Sequence, residues 1–143
     1  MPNTQAIGVA FADPEFQSVN VTGALTAGSV SSASVTASGN LFIKSATVAA
    51  TGSVQGDAAA VTSGFTLVSA ADGTKGVALP AAAAGLVCII KNNAAAALKI
   101  YPASGDAINA LSANAAYSIT NLTSTVLVAY DSTTWYSVPL VAS

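Results

Sequence analysis

Short apolar segments separated by turn residues run through residues 57–143 and restrict this part of the chain to β-structure. Asp72-Gly73, Asn92-Asn93 and Asp131-Ser132 are among the turn signals between the segments. Closely spaced short strands with turn signals between them are typical of a β-sandwich or barrel. We therefore predict an all-β fold whose C-terminal domain, residues 57–143, is a sandwich or barrel. The predicted strands are FTLVS (65–69), GVAL (76–79), LVCIIK (86–91), ALKIY (97–101), AYSIT (116–120), TVLVAY (125–130) and TWYSV (134–138).

Two blocks of four alanines, residues 81–84 and 94–97, are compatible with helix by composition alone. Pro80 and Gly85 bracket the first block, and Asn92-Asn93 opens the second just before an alternating segment. Because proline and glycine interrupt regular structure, we predict turns or strand edges at both blocks.

Residues 19–56 contain a near-repeat of small residues, SASVTASG at 32–39 and SATVAATG at 45–52. Serine, threonine, valine and glycine disfavour helix, so short strands with glycine turns are expected. The region has too few large side chains for a core of its own, and repeat units bury their faces by stacking on neighbours. We predict an intertwined trimeric β stalk; a flexible Ser/Ala linker is the alternative, against which the regularly placed valines argue. The valines expected on the trimer axis are Val21, Val35, Val48 and Val54.

Residues 1–18 resemble a docking arm. Ile7, Val9 and Phe11 alternate with small residues until Asp13-Pro14 ends the pattern, and Phe16 follows. A strand this short cannot bury its own apolar face, but it can add to a sheet edge of another protein. We predict that Ile7, Val9, Phe11 and Phe16 dock onto another protein; pairing within the chain's own trimer, or fraying, is the alternative.

Charge is scarce in this sequence: four Lys, six Asp or Glu and no histidine give a net charge of −2. Such a surface has no basic patch, so we expect no nucleic-acid partner. The longest weakly polar run, residues 76–90, is too short to span a membrane and is broken by Pro80 and Gly85, so we expect no membrane partner. The N-terminal residues lack the basic and apolar regions of a signal peptide, so we expect assembly in a cytoplasm.

The sequence offers little chemistry. Without histidine and with one cysteine, neither a nucleophile–base triad nor a zinc site is expected, and we predict no enzyme activity, no metal and no cofactor. Cys88 is expected to be a small buried hydrophobe. Asp72, Asp106 and Asp131 each sit in a predicted turn, where aspartate serves hydrogen bonding, although convergence of these carboxylates is left open.

Trp135 lies in TWYSV, and we predict that it anchors the C-terminal core or a subunit interface. The aromatic residues of this part of the chain could instead line a sugar site. A core or interface role is the more usual one for such residues.

Three stretches resemble a small β-domain of tailed-bacteriophage structural proteins: TSGFTLVSAADGTKGVALPAAAAGLVCIIKN, ALKIYPASGDAINAL and STTWYSV. The opening MPNTQAIGVAFADPEF resembles the start of phage head-associated proteins. The resemblance is to capsid decoration (cement) proteins and head fibres. It implies a homotrimer bound to the major capsid protein on the capsid exterior, assembled in the host cytoplasm. The docking residues Ile7, Val9, Phe11 and Phe16 would then be the capsid-binding residues.

Two alternatives to this family resemblance stay open. One is a phage tail fibre or receptor-binding tip, which uses similar modules. The other, of a different class, is a carbohydrate-binding or hydrolysing module at a fibre tip. A host-surface glycan as a ligand is neither indicated nor excluded by the sequence.

Overall fold

The computed structural model describes residues 22–138, and within this range the chain is all-β, which confirms the predicted class. It contains ten strands, one short 3-10 helix at Gln55–Asp57 and, in the same range, no α-helix. The described residues divide into two units, residues 22–38 and 39–138. Residues 22–38 form neither strand nor helix, and all of their side chains are exposed.

The strands form a large and a small sheet within the second unit. In chain order they are β1 (Ser45–Ala49), β2 (Ala59–Ala60), β3 (Phe65–Ala70), β4 (Gly76–Ala78), β5 (Val87–Asn92), β6 (Leu98–Tyr101), β7 (Ala107–Ile108), β8 (Tyr117–Ile119), β9 (Ser124–Ala129) and β10 (Thr134–Val138). The large sheet has the order β1-β3-β5-β9-β10-β7, and the small sheet has the order β2-β4-β6-β8.

The first six strands build a coil of three turns. β1, β3 and β5 pair in parallel in the large sheet, while β2, β4 and β6 pair in parallel in the small one. The chain therefore alternates between the sheets, and each turn stacks on the turn before it, as in a β-solenoid. Ser45, Phe65 and Ile89 occupy equivalent register positions on the three turns.

Antiparallel strands cover the C-terminal side of this coil. β9 pairs antiparallel with β5, and β8 pairs antiparallel with β6. β10 then extends the large sheet beyond β9, and β7 forms its last strand. The N-terminal side of the coil is bounded by β1 and β2, which are edge strands of their sheets.

The core lies between the two sheets. Along β5 and β9 buried and less buried residues alternate, as expected for strands with one face on the core. Trp135 on β10 is fully buried there, and its neighbours in the core include Ile90 and Leu127. The buried set comprises Ala50, Val61, Val68, Val77, Leu79, Ala82, Cys88, Ile90, Leu98, Ile100, Ile108, Ile119, Leu127, Ala129 and Trp135.

A buried amide holds together the corners of the last turn. Asn92 has no exposed surface. Its Nδ2 donates to the carbonyls of Ala96 and Thr120 at 2.9 and 3.0 Å, and its Oδ1 accepts from the amide of Ala94 at 3.1 Å. Because these bonds satisfy both ends of the amide, its burial stabilises the corners instead of costing free energy.

All seven predicted strands are confirmed, each to within one or two residues. The alanine blocks are turns and irregular backbone, also as predicted. β1 lies in residues 19–56, where short strands were expected without assigned bounds, whereas β2 and β7 were not predicted. β2 and β7 have only two residues each, and β1 consists of small residues whose strand character depends on pairing with β3.

Two predictions need correction. The boundary expected between residues 56 and 57 differs from the structure, which places 39–56 with the β-domain because β1 pairs along its whole length with β3. Val48, expected on a trimer axis, instead packs against the chain's own core. The C-terminal domain has two packed sheets, as a sandwich does, but its first strands follow a solenoid path.

The predicted capsid-binding residues Ile7, Val9, Phe11 and Phe16, and the predicted axis residue Val21, lie outside the described residues. The arm and the trimeric stalk therefore stay predictions.

Candidate functional site

The outward side of the large sheet is apolar, although one side of the sheet already covers the core. Strand residues alternate between the two sides, so the neighbours of the buried residues point outward. We call the following set the outer face: Phe65, Leu67, Val87, Ile89, Val126, Val128, Tyr136 and Val138. Each of these side chains is exposed or half-buried.

The outer face is continuous across four strands because its residues are in register. One row is formed by Phe65, Ile89, Val126 and Val138, each paired with the next. A second row is formed by Val87, Val128 and Tyr136. Directly opposite apolar side chains on neighbouring strands contact one another, so the two rows form one surface and not scattered residues.

This pattern is typical of a sheet that is covered on both sides. Strands buried on both faces consist of nearly continuous apolar residues, whereas a sheet facing water alternates apolar with polar residues. Val87 to Ile90 on β5 and Val126 to Ala129 on β9 are unbroken apolar runs. The chain supplies the cover for the inner side, and the composition of these strands indicates a second cover on the outer side.

Polar groups mark the border of the outer face. Lys91, which follows Ile89 on the same side of β5, directs its Nζ to the carbonyl of Leu122. At the opposite border Tyr136 contacts Tyr130 edge to face, with ring centroids 5.9 Å apart and an interplanar angle of 75°. Tyr130 is 71% exposed, so this pair continues the apolar surface beyond the strand.

An apolar groove of about 320 Å³ adjoins the outer face at Val87. Val61 and Cys88 line it and are buried, whereas Leu86 and Val87 on its rim are 37% and 43% exposed. Lys44 contributes a charged side chain to the lining. The remaining lining residues are Thr62, Ser63, Gly64 and Pro80.

Cys88 is the free cysteine of the described residues, and burial raises the pKa of its thiol. The thiol therefore stays protonated at neutral pH and behaves as an apolar lining group, not as a nucleophile.

The segment before β1 presents apolar side chains to solvent. Leu41 is 76% exposed, Phe42 91% and Ile43 48%. Ile43 lies beside Gly64, close enough that a methyl group added at this glycine would be 3.6 Å from the Ile43 side chain. We call residues 41–43 the LFI segment.

The aspartates serve turns. Asp72 Oδ1 accepts hydrogen bonds from the hydroxyl and amide of Thr74 and from the amide of Lys75, at 2.7, 2.9 and 3.0 Å. Asp131 Oδ1 bonds Thr133 and Thr134 in the same way. Asp106 is buried, and its Oδ2 accepts from the amide of Ala82 at 2.9 Å. Each contact is the local or structural one that aspartate makes in turns.

These bonds lower the pKa of Asp72, chiefly through the Thr74 hydroxyl, and that of Asp131, chiefly through the Thr133 amide. Within residues 22–138, no group of three or more His, Cys, Asp or Glu side chains is placed to hold a metal ion.

A small polar pocket of about 260 Å³ lies where β8 leads into β9. Thr125 is one of its lining residues, and the buried Oγ1 of this threonine has no hydrogen-bond partner in the described part of the chain. The pocket is lined by Tyr117, Ser118, Ile119, Thr120, Thr123, Ser124 and Thr125.

Two of the residues predicted for the trimer axis belong to different units of the chain. Val35 is 78% exposed and belongs to the first unit, whereas Val54 is 55% exposed and belongs to the second. Trp135 is buried in the domain core. Sequence reasoning missed the outer face, although unbroken apolar runs such as VCII were its signal.

The described residues include no helix that is both long and apolar enough to cross a membrane. Comparison with known proteins returned no matching protein-family model, no matching curated protein and no matching solved structure.

Proposed function

We propose that this chain is a structural virion protein. In this proposal it forms a homotrimer that decorates the outside of a tailed-phage capsid as a cement protein or head fibre, and its partner is the major capsid protein. The observation that carries the structural role is the outer face, which offers a subunit surface and no reacting groups. The phage context rests on the sequence resemblance.

The outer face is suited to permanent contact with another protein. Soluble monomers rarely expose large continuous apolar patches, and where they occur they mark interaction sites. Interfaces between permanently associated subunits resemble a domain core cut in half. Fully burying a Phe, Ile, Val or Leu side chain stabilises by about 1.5–3 kcal/mol. Val87, Tyr136 and Val138 of the outer face are 43 to 48% exposed and the other five residues are half-buried, so covering the face gains a part of this free energy at each of eight positions, against the ordering costs of association.

The remaining parts of the chain fit this role as follows. Residues 1–18 attach each chain to the capsid, and three arms in one trimer strengthen a weak single contact through effective concentration. Residues 22–38, with exposed Leu25, Val30 and Val35, carry the chain between arm and β-domain. Because the contacts are apolar, binding should persist at moderate salt.

A second candidate function follows from the polar pocket at β8–β9. Its hydroxyl-rich lining with Tyr117 is a feature of a site for a small polyhydroxyl ligand such as a sugar. This would suit a receptor-binding tip on a tail fibre. The two candidates differ in location on the particle, on the head or on the tail.

Immunogold labelling of phage particles tests the location directly. We expect gold on the head; gold on the tail would favour the receptor-binding alternative. In a second arm, a chain lacking residues 1–18 is mixed with undecorated capsids and sedimented, with the full chain as control. We expect the full chain to co-sediment and the truncated chain to stay in solution. Equal binding by both would place attachment on the β-domain.

A further inference from the structure

We propose that the LFI segment of one chain inserts into the apolar groove of a second copy of the same chain. This rests on the proposed function in one respect, namely that the chain associates with itself. It goes beyond that function by naming the two elements that interlock, with Phe42 as the inserted residue and the groove between Val61 and Leu86 as its receptor.

Phe42 is the most exposed large apolar side chain of those in residues 22–138, at 91%. An exposed phenylalanine flanked by exposed Leu41 and half-exposed Ile43 is costly in water, and we call this run of three apolar residues, the LFI segment, the plug. The polar residues Asn40 and Lys44 bound this apolar run on either side. The segment therefore has the composition of an anchor that is buried on association.

The groove has matching chemistry. Apart from Lys44, its lining consists of apolar side chains and small neutral residues, with Val61 and Cys88 buried and Leu86 and Val87 forming an exposed rim. Its volume of about 320 Å³ lies in the range of pockets that hold small molecules, so an aromatic ring can enter. The Lys44 stem can cover such a ring while its ammonium group remains in water.

The positions of the plug and the groove favour occupation of the groove by the plug of a second copy over occupation by the chain's own plug. The groove includes Lys44, and the carbonyl of Lys44 accepts a hydrogen bond from the amide of Phe65 at 3.1 Å. The backbone is thereby fixed one residue after the plug, and Ile43 is held beside Gly64. With its neighbours fixed in this way the Phe42 ring still projects into solvent.

The groove is also continuous with the outer face, because Val87 belongs to both. A copy that covers the outer face is therefore positioned to reach the groove. Each chain carries one plug and one groove, and three chains that each insert the plug into the next chain form a closed ring, which is the arrangement that fits the proposed trimer.

Disulfide trapping tests this exchange. In a Cys88→Ala background, Phe42→Cys is combined with Val87→Cys, and the purified protein is mildly oxidised and run on a non-reducing denaturing gel. We expect covalently linked chains up to the trimer. The matched control replaces Phe42→Cys by Leu122→Cys, which is also an exposed apolar position, at 59%. This control should give no covalently linked dimers or trimers on the gel.

Two outcomes would overturn the exchange. One is a monomer band whose two thiols are both consumed, since the plug would then occupy its own groove. The other is an unlinked trimer with both thiols free. Native mass spectrometry of the unmodified chain separates this failure from that of the proposed function: a trimer without cross-links removes the exchange alone, whereas a monomer removes both.

A second measurement does not depend on disulfide geometry. Phe42→Ser should weaken self-association by about tenfold or more, because a buried phenyl ring is lost. Leu122→Ser, the matched control, should leave self-association unchanged. The folded domain is expected to survive Phe42→Ser because the side chain is exposed in the single chain. Equal association of both variants would contradict the proposal.

Discussion

Ile89 and Val126 lie directly opposite each other on β5 and β9, where the parallel coil meets its antiparallel cover, and both point away from the core. The residues beside them in sequence, Ile90 and Leu127, are fully buried. The two strands are therefore apolar on both sides. A sheet of this kind is normally covered on both sides, and the chain itself covers one.

Placing a charge at this pair should disrupt assembly. We expect Ile89→Lys to shift the protein from trimer to monomer, because three buried, unpaired ammonium groups cost several kcal/mol each. Multi-angle light scattering after size exclusion measures the change. Ser118→Lys, at an exposed strand position on β8 of the small sheet, is the matched control and should remain trimeric. An unchanged mass for Ile89→Lys would show that the outer face is not the subunit interface.

Trp135 should be essential for the stability of the β-domain. Its side chain has no exposed surface, and truncation of a buried tryptophan to alanine typically costs about 3–5 kcal/mol. We expect Trp135→Ala to lower the free energy of unfolding by this amount, measured by denaturant titration at fixed protein concentration. Leu122→Ala, at an exposed position, should change it by no more than about 0.5 kcal/mol. A stable Trp135→Ala variant would be incompatible with a buried core anchor.

The two valines of the internal repeat should respond differently to the same change. Val48 packs against the core, so Val48→Asp should destabilise the domain by several kcal/mol, whereas exposed Val35→Asp should leave domain unfolding unchanged. If the stalk prediction is right, Val35→Asp should still weaken the trimer. Thermal unfolding and light scattering on the same samples distinguish the two effects. A loss of domain stability in Val35→Asp would contradict the division at residues 38 and 39.

Low pH should weaken the turns at Asp72 and Asp131. Their pKa values are lowered in the folded chain, so their contribution is present above the unfolded carboxyl pKa, about 3.9, and is lost as pH falls toward the folded value. We expect a small decrease in Tm below about pH 4, small because both groups are exposed. Asp72→Asn should reduce the difference in Tm between pH 7 and pH 3.

Asp57→Asn is the control for the pH experiment, because the carboxylate of Asp57 accepts no hydrogen bond from the described residues. It should retain the pH difference of the unmodified protein. If Asp72→Asn and Asp57→Asn behave alike, the bonds at Asp72 do not contribute to the acid sensitivity.

The sequence predicts strands well where large apolar residues define them, as in LVCIIK and TVLVAY. It predicts them poorly where a segment of small residues becomes a strand only by pairing with a neighbouring strand. The near-repeats show why. SATVA at 45–49 is β1, whereas the similar SASVT at 32–36 forms no strand. Only the first lies alongside β3, and small residues have too weak a preference to form a strand without a partner.

The solenoid path was not predictable from turn spacing, because similar spacings connect antiparallel strands in a sandwich. A solenoid differs from a sandwich in which strands pair. Here Phe65 on β3 pairs directly with Ile89 on β5, and β4, which lies between them in sequence, belongs to the other sheet. The outer face was readable in principle, since the unbroken apolar runs of β5 and β9 favour burial on both sides. The partner that covers it is not encoded in the pattern of a single chain.

Native mass spectrometry of the full chain at micromolar concentration tests the central claim, that the chain assembles through its outer face, most directly. We predict a trimer as the dominant species, and we predict that Ile89→Lys in the same conditions yields monomer while Ser118→Lys on the small sheet does not. A stable, folded monomer of the unmodified chain would contradict this claim, because the outer face would then be exposed to water without a partner.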